Sequence, residues 1–293
     1  VCTYACIYCQ LGRTIKMQAE RRAFYDPEWI LSKVRDRVAE ASRAGERIDY
    51  LTFVPDGEPT LDSNLGHEIE LLWQLGHEIA VITNTSLIWK EDVREALAQA
   101  DWVSLKIDSA TDDVWGEVDR PHGRLRLKSI VDGALAFAGS FTGQLVTETM
   151  LVEGINDCAQ EIGRIADLVA QLAPAIAYLA VPTRPPAEHW VRAPTEPNLN
   201  LAYQIFSEKL DRVELLSGYE GNAFAFTGNV KDDLLSITAV HPMREDAVAE
   251  LLAQATTDWA TVDGLIGQGE LVETEYQGSR FYLRKLDRGN GRM

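Results

Sequence analysis

Val1-Cys2-Thr3-Tyr4-Ala5-Cys6-Ile7-Tyr8-Cys9 holds three of the chain's four cysteines, spaced C-x3-C-x2-C. Thiolates are soft ligands, and clusters of them select zinc or iron–sulfur centres. A structural zinc site needs four ligands close together. The next histidine is His67 and the next cysteine is Cys158, so no local zinc knuckle closes. A four-iron cluster normally takes four cysteines. Three would leave one iron with an open position, as a catalytic metal site keeps one for its substrate. The plain alternative is three ordinary buried thiols that happen to cluster.

Outward from this stretch, Gln10-Leu11-Gly12-Arg13-Thr14 leads through Lys16, Arg21 and Arg22 into a helix. Pro27 suits its first turn, Ile30, Val34 and Val38 share one face, and Gly45 stops it. Tyr50–Val54 then reads as a buried strand, and the alternation continues. The pattern predicts helices near 65–75, 91–98 and 161–172, and from about Leu125, with strands at 79–83, 102–107, 145–151 and 176–181. A long polar loop is expected through Arg120-Pro121-His122. Strands and helices alternating at this length imply parallel strands joined by crossover helices. In parallel barrels the chemistry sits on the loops after the strands. Asp56 to Pro59, Thr83-Asn84, Asp108-Ser109 and Arg184 fall at such places. Glu148 stands inside an apolar strand, where a carboxylate is expensive unless paired or functional. It reads as facing the barrel interior, the alternative being an ion pair to a helix. Arg120, His122 and Arg184 are candidate substrate contacts, or else solvated loop charges. Cys158 reads as an ordinary thiol at a helix start.

The chain has 293 residues, 46% hydrophobic and 25% charged, which suits a barrel-sized domain with a small appendage. A net charge of -17 works against non-specific binding to nucleic acid or anionic membrane. No apolar run reaches the roughly 20 residues of a membrane span. The thiols fit a reducing cytoplasm.

The cysteine spacing resembles that of the radical S-adenosylmethionine (SAM) superfamily, and further motifs carry the resemblance. Val54-Pro55-Asp56-Gly57-Glu58-Pro59 resembles its G-G-E-P motif, with Asp56 for the first glycine. Thr83-Asn84-Thr85 resembles its T-N-G turn, with Thr85 for the glycine. Ser104-Leu105-Lys106-Ile107-Asp108-Ser109-Ala110 resembles its fourth-strand segment. Together with Arg120-Pro121-His122, Gly154-Ile155-Asn156-Asp157 and Thr183-Arg184-Pro185-Pro186, the set is similar to a branch of iron–sulfur oxidoreductases related to the wyosine-forming tRNA enzymes. The resemblance covers residues 1–220.

What it implies is an α/β fold, a partial (β/α)6 barrel whose first strand, ahead of Cys2, is missing from the sequence. Cys2, Cys6 and Cys9 would hold a [4Fe-4S] cluster whose open iron chelates SAM. The reduced cluster would split SAM to a 5′-deoxyadenosyl radical that takes hydrogen from an unknown substrate. Tyr8 would pack on adenine, and Asp56, Gly57, Glu58 and Pro59 would seat the methionine. Thr83, Asn84, Lys106, Asp108 and Ser109 would line the rest of the cofactor site. Glu148, Arg120, His122 and Arg184 would meet the substrate: RNA, protein or a small molecule. A flavodoxin or ferredoxin would supply the electron.

Residues 221–293 read differently. Helical stripes at Ala247, Val248, Leu251, Leu252 and Ala255, then at Trp259, Val262, Leu265 and Ile266, precede a hairpin turning at Gln277-Gly278. Helix, helix and hairpin form a winged-helix pattern. Its candidate recognition helix, 257–266, carries Asp258 and Asp263 and no Arg, Lys, Asn or Gln. From Lys231 onward, seven Lys/Arg against eleven Asp/Glu leave -4. Duplex DNA is therefore not expected as a partner. An iron–sulfur sensor with a regulatory winged helix is the alternative to the enzyme.

Overall fold

The computed structural model of the protein describes residues 1–14, 16–54, 57–216, 224 and 226–285. Helix α1 (Pro27–Ala44) opens on Asp26, whose side chain accepts from the Glu28 N–H, and closes on Gly45 at φ 75°. Both are expected of an N-cap and a left-handed C-terminal stop. Strand β1 (Tyr50–Phe53), α2 (Leu65–Leu72), β2 (Glu78–Thr83), α3 (Glu91–Leu97) and β3 (Trp102–Lys106) follow at the expected places. Next come α4 (Asp112–Val118), α5 (Leu127–Ala138), β4 (Gln144–Met150), α6 (Ala159–Leu172), β5 (Ile176–Ala180), α7 (Glu196–Ser207) and β6 (Val213–Leu216).

Strands β1 to β6 form one sheet in sequence order, parallel throughout. This is the α/β architecture that alternation implied. Three elements of this part, α4, α7 and β6, were not expected from the sequence. The polar stretch after β3 contains helix α4, held by Trp115, which buries edge-on against Tyr4 at 6.0 Å and donates to its hydroxyl at 3.2 Å. Such an aromatic contact adds about 0.5–1.5 kcal/mol beyond the area it buries. The sixth strand comes from Val213-Glu214-Leu215-Leu216, four residues too short to show a period.

Strand alternation divides the sheet into two faces. Val81, Val103, Leu105, Leu145, Ala177 and Leu179 join the main core beneath the helices. The opposite face carries Ser104, Lys106, Val146 and Glu148; register places Lys106 beside Glu148 and Glu148 beside Tyr178. Glu148 thus lies on the face away from the main core, ion-paired to Lys106 of the neighbouring strand.

The C-terminal part has a core of its own, built from Leu234, Met243, Val248, Leu251, Leu252, Val262, Leu265, Leu271 and Tyr282. Its elements are α8 (Val230–Val240), β7 (Met243–Arg244), α9 (Glu245–Gln254), α10 (Ala260–Gly267), β8 (Leu271–Tyr276) and β9 (Ser279–Arg284). The three strands pair in the order β7-β9-β8, antiparallel. The β8–β9 turn has positive φ at both Gln277 (49°) and Gly278 (76°), the twist a two-residue hairpin favours. No helix among the described residues is long and apolar enough to cross a membrane.

Candidate active site

The cysteine loop is laid across the end of the sheet by its backbone. Ala5 N–H donates to the Asp119 carbonyl at 3.0 Å, Ile7 N–H to that of Val118 at 3.0 Å, and His122 N–H to that of Thr3 at 2.9 Å. These bonds run beside the Arg120-Pro121-His122 segment, where Arg120 takes φ 46°. Ile7 is fully buried in a small cluster with Val118, Val152 and Val191, which anchors the loop between its second and third cysteines. A turn follows, with Cys9 N–H on the Cys6 carbonyl at 3.2 Å and Gly12 N–H on that of Cys9 at 3.0 Å; Gly12 takes φ 83°.

Cys2, Cys6 and Cys9 are all partly exposed and unpaired as disulfides. Burial pushes the Cys2 thiol up to about 11 and raises Cys9 as well. It carries Cys6 well above the ordinary thiol range, with Asp119 adding to the effect. Thiols so placed ionise when a metal supplies positive charge. Among the described residues no three His, Cys, Asp or Glu side chains converge on a point one ion would fill. Three thiol donors within eight residues have the chemistry of an iron–sulfur centre.

Three strand-end loops meet this one. Glu58 is buried. One of its oxygens accepts from Thr60 N–H (3.0 Å), Thr60 Oγ1 (2.6 Å) and Thr83 Oγ1 (2.6 Å). The other accepts from Asn84 N–H at 2.7 Å. Burial raises its carboxyl above the usual range, and these bonds offset part of the rise. Asn84 Nδ2 in turn donates to Thr3 Oγ1 at 2.9 Å and lies 3.4 Å from Cys2 Sγ. Thr85 sits at φ 68°, the left-handed conformation in which glycine is at ease and a β-branched residue is strained. Its N–H donates to Thr83 Oγ1 at 3.1 Å and its hydroxyl to the Lys106 carbonyl at 3.0 Å, which hold it there. Gly57 lies so close to the cysteine loop that a Cβ would stand 1.9 Å from the Val1 carbonyl oxygen. Pro59 is buried in the turn after Glu58. Asp56 lies outside the described residues.

The third loop carries the charge. Tyr8 OH donates to Asp108 and lies 3.4 Å from Asp119 Oδ1. Asp119 also accepts from Cys6 Sγ at 3.3 Å. Burial raises both carboxyls above the ordinary range; Lys106 pulls Asp108 back down, while Asp108 pushes Asp119 further up. Lys106 Nζ donates to Glu148 Oε1 at 2.6 Å and sits 5.1 Å from the Tyr8 ring centre. Burial works against its charge, but Glu148 and Asp108 outweigh it and keep the amine firmly protonated. Ser109 turns away to Glu161, at 2.9 Å.

The remaining expected residues spread out. Arg120 donates to Glu188, which also accepts from Arg13 Nη2 at 2.7 and 2.9 Å. The two guanidiniums hold the Glu188 carboxyl below the usual range. His122 Nδ1 accepts a local bond from Arg124 N–H at 3.3 Å. Arg184 reaches Gln10 and His241. Cys158 is exposed at the N-cap of α6. Sequence reading missed Asp119, Asn156 and Glu188. Asn156 Nδ2 donates to the Asp108 carbonyl at 2.9 Å and to that of Met150 at 2.8 Å, fixing the Asp108 loop. Asn156 stands inside a quoted motif and Asp119 directly before one, so adjacency was the available signal for those two.

The family model of the radical SAM superfamily matches residues 1–169. This chain belongs to that superfamily. Membership implies an iron–sulfur cluster and SAM, and an enzyme of the radical SAM kind. A UPF0026 protein of Methanocaldococcus jannaschii is 42% identical to this radical SAM protein over 97% of the chain and 89% of its own length. Among solved structures, a radical SAM methyltransferase from Sphaerobacter thermophilus matches with a TM-score of 0.54 at 16% identity, over 75% of this chain and 64% of that one. A structure of TYW1 with a lysine-pyruvate adduct bound matches 97% of this chain and 76% of that one at 14% identity, with a TM-score of 0.47.

Proposed function

We propose that this protein cleaves SAM reductively with a [4Fe-4S] cluster on Cys2, Cys6 and Cys9 and takes hydrogen from a substrate held against the polar face of the sheet. The observation that carries the reading is the joining of four loops into one network: Glu58 to Asn84, Asn84 to Thr3 and Cys2, and Cys6 to Asp119 beside Asp108 and Tyr8. When bound, the cluster supplies one electron to SAM, the hard step that a cofactor brings and a protein cannot.

The chain's own residues position and shield. Glu58 holds the Gly57–Pro59 turn that would receive the amino group of SAM, and Asn84 braces Cys2. Tyr8, fixed by Asp108, offers a ring face for adenine while Lys106 covers the other. Lys106 and Glu148, bonded to each other, would offer a fixed cation and anion to the carboxylate of SAM and to the substrate. Arg120 and His122, beside the cysteine loop, stand at the same end as further contacts.

RNA is the finer substrate reading, with a flavodoxin or ferredoxin as electron donor in a reducing cytoplasm. The order α8, β7, α9, α10 and hairpin supports a winged-helix tail. Arg284, which ends β9, and Lys285 just after it would supply cations for such a partner. The test is anaerobic reconstitution of iron and sulfide, then reduction with SAM present. Formation of 5′-deoxyadenosine is expected; a protein that takes up iron yet forms no 5′-deoxyadenosine would overturn the reading.

A further inference from the structure

The residue after Cys9 ties the cysteine loop to the C-terminal part of the chain. Gln10 Nε2 donates to the Val240 carbonyl at 2.8 Å, and Gln10 Oε1 accepts from Arg184 Nη1 at 2.8 Å. The other arm of Arg184 meets His241 Nε2 at 3.0 Å. A guanidinium only donates and a carbonyl only accepts, so these partners fix which way the Gln10 amide points. Val240 ends α8, and its carbonyl is one of those a helix C-terminus leaves without an intrahelical partner. Gln10 satisfies it. Arg184 belongs to the loop after β5, so two distant segments, 184 and 240–241, close on the Gln10 side chain beside Cys9.

We infer that Arg184 is a positioning residue for the cluster, and that the C-terminal part serves as the wall against which the Cys9 end of the cysteine loop is held. This rests on the cluster reading above and goes beyond it by giving the tail a role in the site. It also gives Arg184 a task other than substrate contact. The chemistry is that of outer-shell groups, which orient metal ligands and whose loss typically costs about 10- to 100-fold in metal affinity. A lysine would not replace the arginine, because one ammonium lacks the rigid fork that reaches Gln10 and His241 together.

The experiment compares reconstituted wild type with Arg184→Ala, Gln10→Ala and Tyr276→Phe in the full chain. The last is the control: Tyr276 OH ties the tail to the barrel at the Pro182 carbonyl (3.2 Å) without touching Gln10. Iron loss to a ferrous chelator is followed by absorbance, and the electron paramagnetic resonance spectrum of the reduced cluster is recorded with and without SAM. Circular dichroism checks the fold. Arg184→Ala and Gln10→Ala are expected to lose iron roughly tenfold faster than wild type, with an altered spectrum and unchanged secondary structure, while Tyr276→Phe behaves as wild type. Iron loss and spectra unchanged in the first two variants would overturn the inference and leave the cluster reading standing. Equal acceleration in Tyr276→Phe would also overturn it, since general loosening of the tail would then explain the effect. A wild type that binds no cluster sinks both.

Discussion

Removing the Lys106 amine should cost far more than removing its partner. In Lys106→Met, Glu148 and Asp108 both lose their nearest cation, and Asp119 lies just beyond, so three carboxyls crowd a space with no compensating charge. In Glu148→Gln, Lys106 keeps Asp108 and the Tyr8 ring face. Breaking a buried ion pair from one side typically costs about 3–5 kcal/mol. The two side chains are 20% and 27% exposed, so some solvent screening remains. We expect about 3 kcal/mol for Lys106→Met and about 1 kcal/mol for Glu148→Gln. The double variant should cost less than the two added together, because the neutral amide that replaces Glu148 leaves one carboxylate fewer in want of a cation once the lysine is gone. Denaturant unfolding of the four proteins measures all of this. The raised amine adds a pH signature: its stabilisation is full below the unfolded lysine range and fades as pH climbs through the higher folded value. Wild type should therefore lose stability relative to Lys106→Met only in strongly alkaline buffer. Equal costs for the two single variants, or strict additivity, would refute the idea that one lysine balances several carboxyls.

Cys6→Ala should abolish both cluster assembly and 5′-deoxyadenosine formation, whereas Cys158→Ser should keep the iron content and SAM cleavage; iron analysis and product chromatography decide. Glu58→Gln keeps the three bonds to one oxygen but sets an amide donor against the Asn84 N–H, so about 1–2 kcal/mol is lost. Glu58→Ala orphans every donor and should cost at least about 3 kcal/mol; thermal melts that fail to separate the two would count against the assigned network. The chain should show no salt-sensitive, sequence-specific binding to duplex DNA by fluorescence polarisation, since α10 carries no basic or amide side chain; nanomolar binding at physiological salt would restore the sensor reading.

Much of the barrel was legible because its elements announce themselves at both ends. Asp26, Pro27 and Gly45 frame α1, and Gly76 at φ 73° ends the helical stretch before β2. Helix α4 escaped because, only seven residues long and with Trp115 and Val118 its buried positions, it shows too little period to separate from a loop. Strand β6 escaped for the same reason and mixes Glu214 into an apolar run. At the site, most residues inside recognisable motifs were found, Asn156 excepted, and their distant partners were not. Glu188 is 175 residues from Arg13, a separation no local pattern bridges. The Thr85 position was marked by its departure from glycine, and the positive φ there supplies the physical sense of that departure.

The hydrogen-bonded chain from Glu58 through Asn84 to Thr3 has a thermodynamic consequence for ligand capture. Loops that are ordered only by their ligand give up conformational freedom at the moment of binding, and affinity falls accordingly. Here that freedom is lost when the chain folds, since Thr60, Thr83 and Asn84 are bonded to Glu58, and Asn84 and Ser86 to Thr3 of the cysteine loop. Capture of a small ligand at these loops should accordingly have a modest entropic penalty and little dependence on loop motion. Cutting one link would then appear as a less favourable binding entropy while the contacts themselves stay in place.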